Sequence, residues 1–209
     1  MPKGSLGSIL ELAAQSALSL VGVRAYEQPP YRVVGRAGPA EVREYGPRLA
    51  AETALDPGTR EQAFGLLAGY IFGKNRAAAG GGGAKIAMTT PVEMRSGKIA
   101  MAAPVEAAKA GTRVAMRFFL PGSLTRATAP EPADPRVRVV EVPGETLAVL
   151  RFSGSTGGAR IAERQGALLR ELRGSAWEPA GEPVFFGYDP PFTPPFLRRN
   201  EVAVPVRRR

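Results

Sequence analysis

Two methionines, Met88 and Met101, occupy the same position in an eight-residue phrase that the sequence contains twice. Residues 85–92 read KIAMTTPV and residues 98–105 read KIAMAAPV, so six of the eight positions are identical. In each copy the Ile, Met and Val residues fall on alternate positions, which is the period of a half-buried strand. The pattern predicts two short strands, or one strand and its returning partner, around the polar residues 93–97. Methionine is adaptable enough to line the wall of a ligand cleft, although it also fills protein cores.

The residue types that the sequence lacks exclude several kinds of chemistry. It contains no cysteine, which excludes disulfides and thiolate metal sites. It contains no histidine, which excludes an imidazole base, a Ser-His triad and a histidine-ligated metal or haem. We therefore predict no protein-held metal and no catalytic residue, and we favour a binding protein over an enzyme.

The chain is basic, with 28 Lys and Arg residues against 19 Asp and Glu residues and a net charge of +9. Such an excess suits carboxylate or phosphate ligands, anionic lipid or nucleic acid, although an arginine-rich genome gives the same balance. No zinc-finger spacing and no aromatic-basic RNA signature accompanies the charge. We therefore predict no nucleic-acid partner.

The first 28 residues form a predicted N-terminal unit, separated by Pro29 and Pro30 from a single domain at residues 29–209. Within it, residues 5–21 carry an apolar helical stripe formed by Leu6, Ile9, Leu10, Ala13, Ala17, Leu20 and Val21. The stripe is too short and too polar to span a bilayer, and Glu11 interrupts it as a secretion signal. It predicts an amphipathic helix that contacts a membrane surface or docks on a partner. The expected location is cytoplasmic or at the membrane surface, with secretion less expected.

Two similar series of elements follow, each with strands, one helix and further strands. The predicted strands are residues 31–34, 41–45, 48–55, 112–120, 136–142, 146–152, 184–188 and 201–206, and the second helix is residues 157–173. The first helix follows Thr59 and ends near Gly73 and Asn75. Its predicted apolar stripe is Phe64, Leu67, Ala68 and Ile71. This order favours an α+β fold with a mainly antiparallel sheet.

Four segments together resemble the SOUL haem-binding protein family. They are EVREYGPRLAAET at residues 41–53, LLAGYIFGKN at residues 66–75, the paired KIAM phrase, and FFGYDPPFTPPFLRRNEV at residues 185–202. The resemblance extends from about Tyr31 to Val206. It implies a distorted antiparallel β-barrel of two pseudo-symmetric halves flanked by two helices, of the SOUL or GyrI-like effector-binding type.

The resemblance also implies non-covalent binding of haem or another tetrapyrrole in an apolar cleft beside the first helix. Carried onto this sequence, the cleft would use Phe64, Leu67, Ala68 and Ile71, with Lys74, Arg76, Arg198 and Arg199 as partners for the propionates. Because histidine is absent, binding would be ligand-free or would use a weak ligand, of which Met88, Met101, Tyr70 and Tyr188 are the available types. The alternative for Arg198 and Arg199 is that they anchor the closing strand or pair with Glu201.

Two other functions remain open from the sequence. One is an enzyme with a haem-modifying or dechelating activity, or a GyrI-like small-molecule hydrolase or sensor; the candidate groups for catalysis are Glu93, Glu106, Tyr188 and Glu201. The other is a membrane-peripheral interaction module that uses the N-terminal helix and the proline-rich loop.

Overall fold

The computed structural model describes residues 26–55, 60–77, 82–97, 113–189 and 193–209. The helices are α1 (Arg60–Ile71) and α2 (Gly158–Leu172), with a short 3-10 helix at Pro195–Leu197. The strands are β1 (Tyr31–Ala37), β2 (Ala40–Tyr45), β3 (Arg48–Leu55), β4 (Asn75–Arg76), β5 (Val92–Gly97), β6 (Arg113–Phe119), β7 (Glu131–Pro132), β8 (Val137–Val142), β9 (Glu145–Phe152), β10 (Trp177–Pro179), β11 (Val184–Gly187) and β12 (Asn200–Arg208).

The main sheet is antiparallel and strongly curled, and its strands follow the order β1-β2-β9-β12-β11-β5-β6-β3-β8. Strand β10 pairs with β12, and β4 pairs with β7 in a separate two-stranded sheet. The strand pair β5–β11 lies in the middle, so that β2-β9-β12-β11 on one side mirrors β8-β3-β6-β5 on the other. The α+β fold of two pseudo-symmetric halves is therefore confirmed. The halves also exchange one strand each, because β2 precedes β3 but pairs with β9, and β8 precedes β9 but pairs with β3.

Both faces of the sheet are buried, and the two helices cover the same face. Helix α1 packs Leu67 and Ile71 against one half, and helix α2 packs Leu168 and Leu172 against the other. The opposite face holds a third cluster, which includes Phe119, Leu147, Val149, Val184, Phe186 and Ala203. Since side chains alternate along a strand, Phe185 lies on the helix face and Phe186 on the opposite face.

The first copy of the repeated phrase is not the strand that its alternating pattern predicts. Within residues 85–92 a single bridge joins Thr89 to Glu27, and the strand begins only at Val92. The backbone N–H of Ile86 donates to the carbonyl of Ile71, which ties this segment to the end of α1 instead of the sheet. The polar residues that follow belong to β5, in which Glu93 pairs with Arg95 and Arg117. The second copy lies outside the described residues.

The inward face of α1 is rotated from the predicted stripe. Its buried residues are Ala63, Leu67, Tyr70 and Ile71, whereas Phe64 is 39% exposed. Tyr70 turns inward because its hydroxyl donates to the carbonyl of Pro130 at 2.8 Å.

The predicted end of α1 at Gly73 is confirmed. Gly73 has a positive φ of 107°, and its N–H donates to the Tyr70 carbonyl while the N–H of Lys74 donates to that of Gly69. These two bonds form a Schellman motif, which favours glycine at this position. Thr59, the predicted cap at the other end, lies outside the described residues.

The predicted strands and helix of the second half agree with the structure to within two residues at each end. The predicted N-terminal helix lies outside the described residues. Among the described helices, none has the length and apolar character needed to cross a membrane.

Candidate functional site

A cleft of about 390 Å³ opens between the first two turns of α1 and the middle of the sheet. Its volume falls in the range that small-molecule sites in proteins occupy. The cleft crosses the seam between the two halves, because both β5 and β11 contribute to it. Its lining residues are Arg60, Glu61, Phe64, Val92, Met94, Met116, Thr156, Phe185, Gly187, Asp189, Arg198 and Asn200.

The floor of the cleft is an apolar row that three strands build. Met94 of β5 lies opposite Phe185 of β11 on one side and opposite Met116 of β6 on the other. In the next row, Val92 lies opposite Gly187. A Cβ atom on Gly187 would sit 3.3 Å from the Phe185 ring, so the glycine keeps the floor open at that point.

Phe64 forms the apolar wall on the helix side. Its ring lies edge-on to that of Phe118, with 5.3 Å between ring centres, and 39% of the residue stays exposed. Since residues four apart share a face of a helix, Phe64 lies beside Arg60.

Arg60 is a half-buried cation at the edge of this floor. Its Nε donates to the sulfur of Met94 at 2.9 Å and its Nη1 to the carbonyl of Thr156 at 3.4 Å, and its guanidinium lies 5.6 Å from the Phe185 ring centre. Among the described residues, no carboxylate forms an ion pair with it. Burial lowers the pKa of Arg60, and the charge of Glu61 offsets part of this decrease. The ordinary pKa of arginine is so high that the guanidinium remains charged at neutral pH. The cleft therefore holds a partly desolvated cation with donors to spare.

The rim opposite α1 is held by hydrogen bonds from the loop that precedes β12. Arg198 Nε donates to the carbonyl of Thr193 at 2.7 Å, and Asn200 Nδ2 donates to that of Gly154 at 3.2 Å. A carboxylate oxygen of Asp189 accepts from the backbone N–H of Arg199 at 2.5 Å. These bonds hold the two charged side chains of this rim in place, the cation of Arg198 and the anion of Asp189.

Of the residues that the sequence analysis placed in the cleft and that the structure describes, two line it, Phe64 and Arg198. Leu67 and Ile71 are 0% and 1% exposed and belong to the core beneath α1, and Ala68 does not line the cleft. Lys74 and Arg76 are exposed beyond the other end of α1, roughly 18 Å along the axis of a 12-residue helix. Met88 packs against the core beneath α1. Met101 lies outside the described residues.

Tyr188 and Arg199 lie in a buried network around Glu201, on the face of the sheet that the helices do not cover. The Tyr188 hydroxyl donates to Glu201 at 2.7 Å, Arg199 Nη2 donates at 2.8 Å, and Arg43 Nη1 donates at 3.0 Å. The guanidinium of Arg199 also lies 3.9 Å from the Tyr188 ring centre. The closing motif thus joins strands through Glu201, which matches the structural alternative stated for Arg199.

The charges of this network shift the pKa values of its members. Burial, followed by the charge of Glu201, raises the pKa of Tyr188 well above its ordinary value. Burial alone would raise the pKa of Glu201, but Arg43 and Arg199 outweigh it and bring that pKa below its ordinary value. Glu201 is therefore an ionised structural partner at neutral pH. Of the other candidate acids, Glu93 is fully buried between Arg95 and Arg117, and Glu106 lies outside the described residues.

Sequence reasoning missed Arg60, Met94, Met116 and Phe185 as cleft residues. A signal existed for Arg60, which precedes Phe64 by one helical turn and so shares its face. For the other three, the sequence gives alternation within each strand but not the register that aligns them in one row.

A family model described as SOUL heme-binding protein matches residues 26–205. Several solved structures share the fold at low sequence identity. An uncharacterized conserved protein from Listeria innocua aligns with a TM-score of 0.58 and 11% identity, over 83% of this chain and 94% of that chain. The C-terminal domain of EcmrR aligns with a TM-score of 0.57 and 10% identity, over 86% of this chain and 99% of that chain. A hydrolase from Listeria innocua aligns with a TM-score of 0.54 and 10% identity, over 83% and 94%. No curated protein matches the sequence.

Proposed function

The chain belongs to the SOUL heme-binding protein family, and from that premise we propose that it binds haem or a related tetrapyrrole non-covalently in the cleft between α1 and the β5–β11 strand pair. Membership of the family supports haem or ligand binding in general, and the location of the ligand in this cleft is part of the proposal. The observation that carries it is Arg60, a half-buried cation without a carboxylate partner among the described residues, at the edge of an apolar floor.

The cleft matches the chemistry of a tetrapyrrole with carboxylate side chains. The apolar faces of the macrocycle would lie between Phe64 on the helix and Phe185 with Met94 on the sheet. Each 100 Å² of apolar surface removed from water contributes about 2.5 kcal/mol. One carboxylate would meet Arg60, whose planar guanidinium suits paired hydrogen bonds to a carboxylate. Arg198 on the opposite rim is the candidate partner of a second carboxylate.

Iron, where the ligand carries it, would find no imidazole, because the sequence contains no histidine. Within the described residues, the cleft offers the thioethers of Met94 and Met116, and the sulfur of Met94 already accepts a hydrogen bond from Arg60. The Tyr70 and Tyr188 hydroxyls donate elsewhere. Binding would therefore rest mainly on apolar contact and on Arg60, and a porphyrin without iron would fit as well. We expect an affinity in the micromolar range, about −8 kcal/mol.

Two exposed phenylalanines, one within α1 and one directly after its last residue, provide a matched test. Phe64 lines the cleft and is 39% exposed, whereas Phe72 is 49% exposed and does not line it. Hemin titration, followed by its Soret band and by quenching of Trp177 fluorescence, should show Phe64→Ser binding about tenfold more weakly than wild type. Phe72→Ser should stay within about a factor of two, as for surface substitutions away from a site. Equal weakening in both variants, or none in Phe64→Ser, would remove this cleft from consideration.

A further inference from the structure

Met94 is the more accessible of the two methionines that form the cleft floor. It lies between Phe185 of β11 and Met116 of β6, and both methionines line the cleft. Met94 is only partly buried, whereas Met116 is 2% exposed. A small solute that enters the cleft therefore meets the thioether of Met94 before that of Met116.

The sulfur of Met94 contacts the cation that the proposed function assigns to the ligand. Arg60 Nε donates to this sulfur at 2.9 Å, and no carboxylate forms an ion pair with Arg60 among the described residues. A thioether is a weak acceptor, so a carboxylate that replaces it at the guanidinium forms the stronger hydrogen bond. The affinity for the ligand therefore depends on how weakly the Met94 side chain holds Arg60.

Oxidation makes a methionine side chain a stronger acceptor. One lone pair of the Met94 sulfur accepts the bond from Arg60, and the other is able to attack hydrogen peroxide. The sulfur takes one oxygen atom as the O–O bond breaks, and the second oxygen leaves as water with both peroxide protons. The sulfur loses two electrons, and the peroxide gains them. The product, methionine sulfoxide, is polar, and its oxygen is bonded to the atom that Arg60 already contacts.

We propose that Met94 is an oxidation site, and that its sulfoxide lowers the affinity of the cleft for a tetrapyrrole that carries carboxylates. The loss of affinity rests on the proposed function, whereas the oxidation of Met94 does not. The sulfoxide oxygen competes with the ligand's carboxylate for Arg60, and it places a polar group in the apolar row that receives the macrocycle. Because dedicated reductases convert the sulfoxide back to methionine, the modification is reversible.

Mapping of the oxidised residues tests the site itself. The full chain is treated with dilute hydrogen peroxide, catalase stops the reaction at several times, and peptide mass spectrometry measures the oxygen gained by each methionine. Met94 should be oxidised before Met116, its neighbour in the same row. Equal rates at the two residues, or slower oxidation of Met94, would overturn the proposal.

Titration of treated and untreated protein tests the effect on binding. Oxidised wild type should bind hemin about tenfold more weakly than untreated wild type, toward the lower end of what a hydrogen bond to a charged group contributes. The dimethyl ester of hemin should lose less affinity, because it has no carboxylate to compete for Arg60. Thermal unfolding of the treated protein shows whether the fold is kept. A lower melting temperature with equal loss of both ligands would show general damage instead.

Met94→Leu and Met116→Leu are the matched variants, because leucine keeps nearly the same volume and has no sulfur to oxidise. Each variant is compared with itself before and after peroxide treatment, so its own starting affinity does not enter the comparison. Met94→Leu should keep its hemin affinity, and Met116→Leu should lose about as much as wild type. Both variants retain Met1, Met88 and Met101, so any oxidation of these residues cancels.

Loss of hemin affinity in treated Met94→Leu would contradict the proposal, as would an unchanged affinity in wild type whose Met94 is oxidised. If untreated wild type binds neither hemin nor its ester, the proposed function fails and the loss of affinity fails with it. The mapping still decides in that case whether Met94 is the oxidation site.

Discussion

The guanidinium of Arg60 lies 5.6 Å from the centre of the Phe185 ring, at the point where the two halves of the sheet meet. Contact with the ring face and with the Met94 sulfur compensates only part of the hydration that the cation loses. Burial accordingly lowers its pKa. A carboxylate of the proposed ligand would restore the missing interaction.

Replacing Arg60 should therefore weaken a ligand only through that ligand's carboxylates. We expect Arg60→Gln to lower hemin affinity by about 1.5–3 kcal/mol, the range for hydrogen bonds to charged groups. The dimethyl ester of hemin, which has no carboxylate, should bind the variant and wild type almost equally. Parallel titrations of the two ligands measure the difference.

Arg76→Gln is the control, because Arg76 is one of the partners that the sequence analysis proposes for the propionates and lies beyond the opposite end of α1. It should leave the affinities for both ligands unchanged. Selective loss of hemin affinity in Arg76→Gln, with none in Arg60→Gln, would move the carboxylate site away from the cleft described above.

The network around Glu201 should matter for stability. Its side chain is 0% exposed and meets Arg43, Arg199 and Tyr188. Glu201→Gln leaves Arg199 without its carboxylate and Arg43 with Glu41 alone, so we expect the free energy of unfolding to fall by about 3 kcal/mol. Glu44→Gln removes the exposed partner of Arg32 and should cost less than about 0.5 kcal/mol. Urea unfolding measures both losses of free energy. Equal losses would show that the buried network stabilises the fold no more than an exposed ion pair does.

The same network predicts a pH dependence. The pKa of Glu201 is lowered in the folded state, because Arg43 and Arg199 outweigh burial, and the unfolded value is about 4.3. The stabilisation is thus complete above this value and is lost as pH falls through the lower folded pKa. The difference in unfolding free energy between wild type and Glu201→Gln should be constant above about pH 5 and shrink below about pH 4. A difference that grows on acidification would contradict the direction of the shift.

Two N-terminal deletions should differ in their effect on stability. The sequence analysis set the domain boundary at residue 28, but Glu27 and Gln28 contact the body of the fold. The carbonyl of Glu27 accepts from Thr90 at 2.9 Å, its carboxylate accepts from the N–H of Gly122 at 2.7 Å, and Gln28 Oε1 accepts from Arg199 at 3.2 Å.

We expect removal of residues 1–25 to leave the melting temperature nearly unchanged. Removal of residues 1–28 should cost about 2 kcal/mol more, for three hydrogen bonds of ordinary strength. Thermal unfolding of both truncated chains is the measurement. A large loss already on removal of residues 1–25 would show that the N-terminal segment contributes to the core.

Much of the fold follows from patterns that act over short distances. The stripe that contains Leu168 and Leu172 predicts α2 because it needs only helical periodicity, and Gly73 predicts the end of α1 because a positive φ favours glycine. Residues 85–92 show where such patterns fail. Their alternation suits a strand, yet the Ile86–Ile71 hydrogen bond ties the segment to α1.

The site is harder to predict because it depends on contacts between distant segments. Met94, Met116 and Phe185 form one row only through the registers of β5, β6 and β11. The role of Arg199 likewise depends on Arg43, which is distant in sequence and shares Glu201 with it. Neither the strand registers nor the shared pairing with Glu201 can be read from composition or from local sequence patterns. The absence of histidine, in contrast, limits the chemistry of any haem site before the fold is known.

The most direct test of the central claim is a crystal structure of the full chain with hemin. We predict that the macrocycle lies between Phe64 and Phe185, with one carboxylate in contact with Arg60 and no strong protein ligand on the iron. A macrocycle bound outside the cleft, for instance beside Lys74 and Arg76 or on the face that holds Tyr188, would contradict the account.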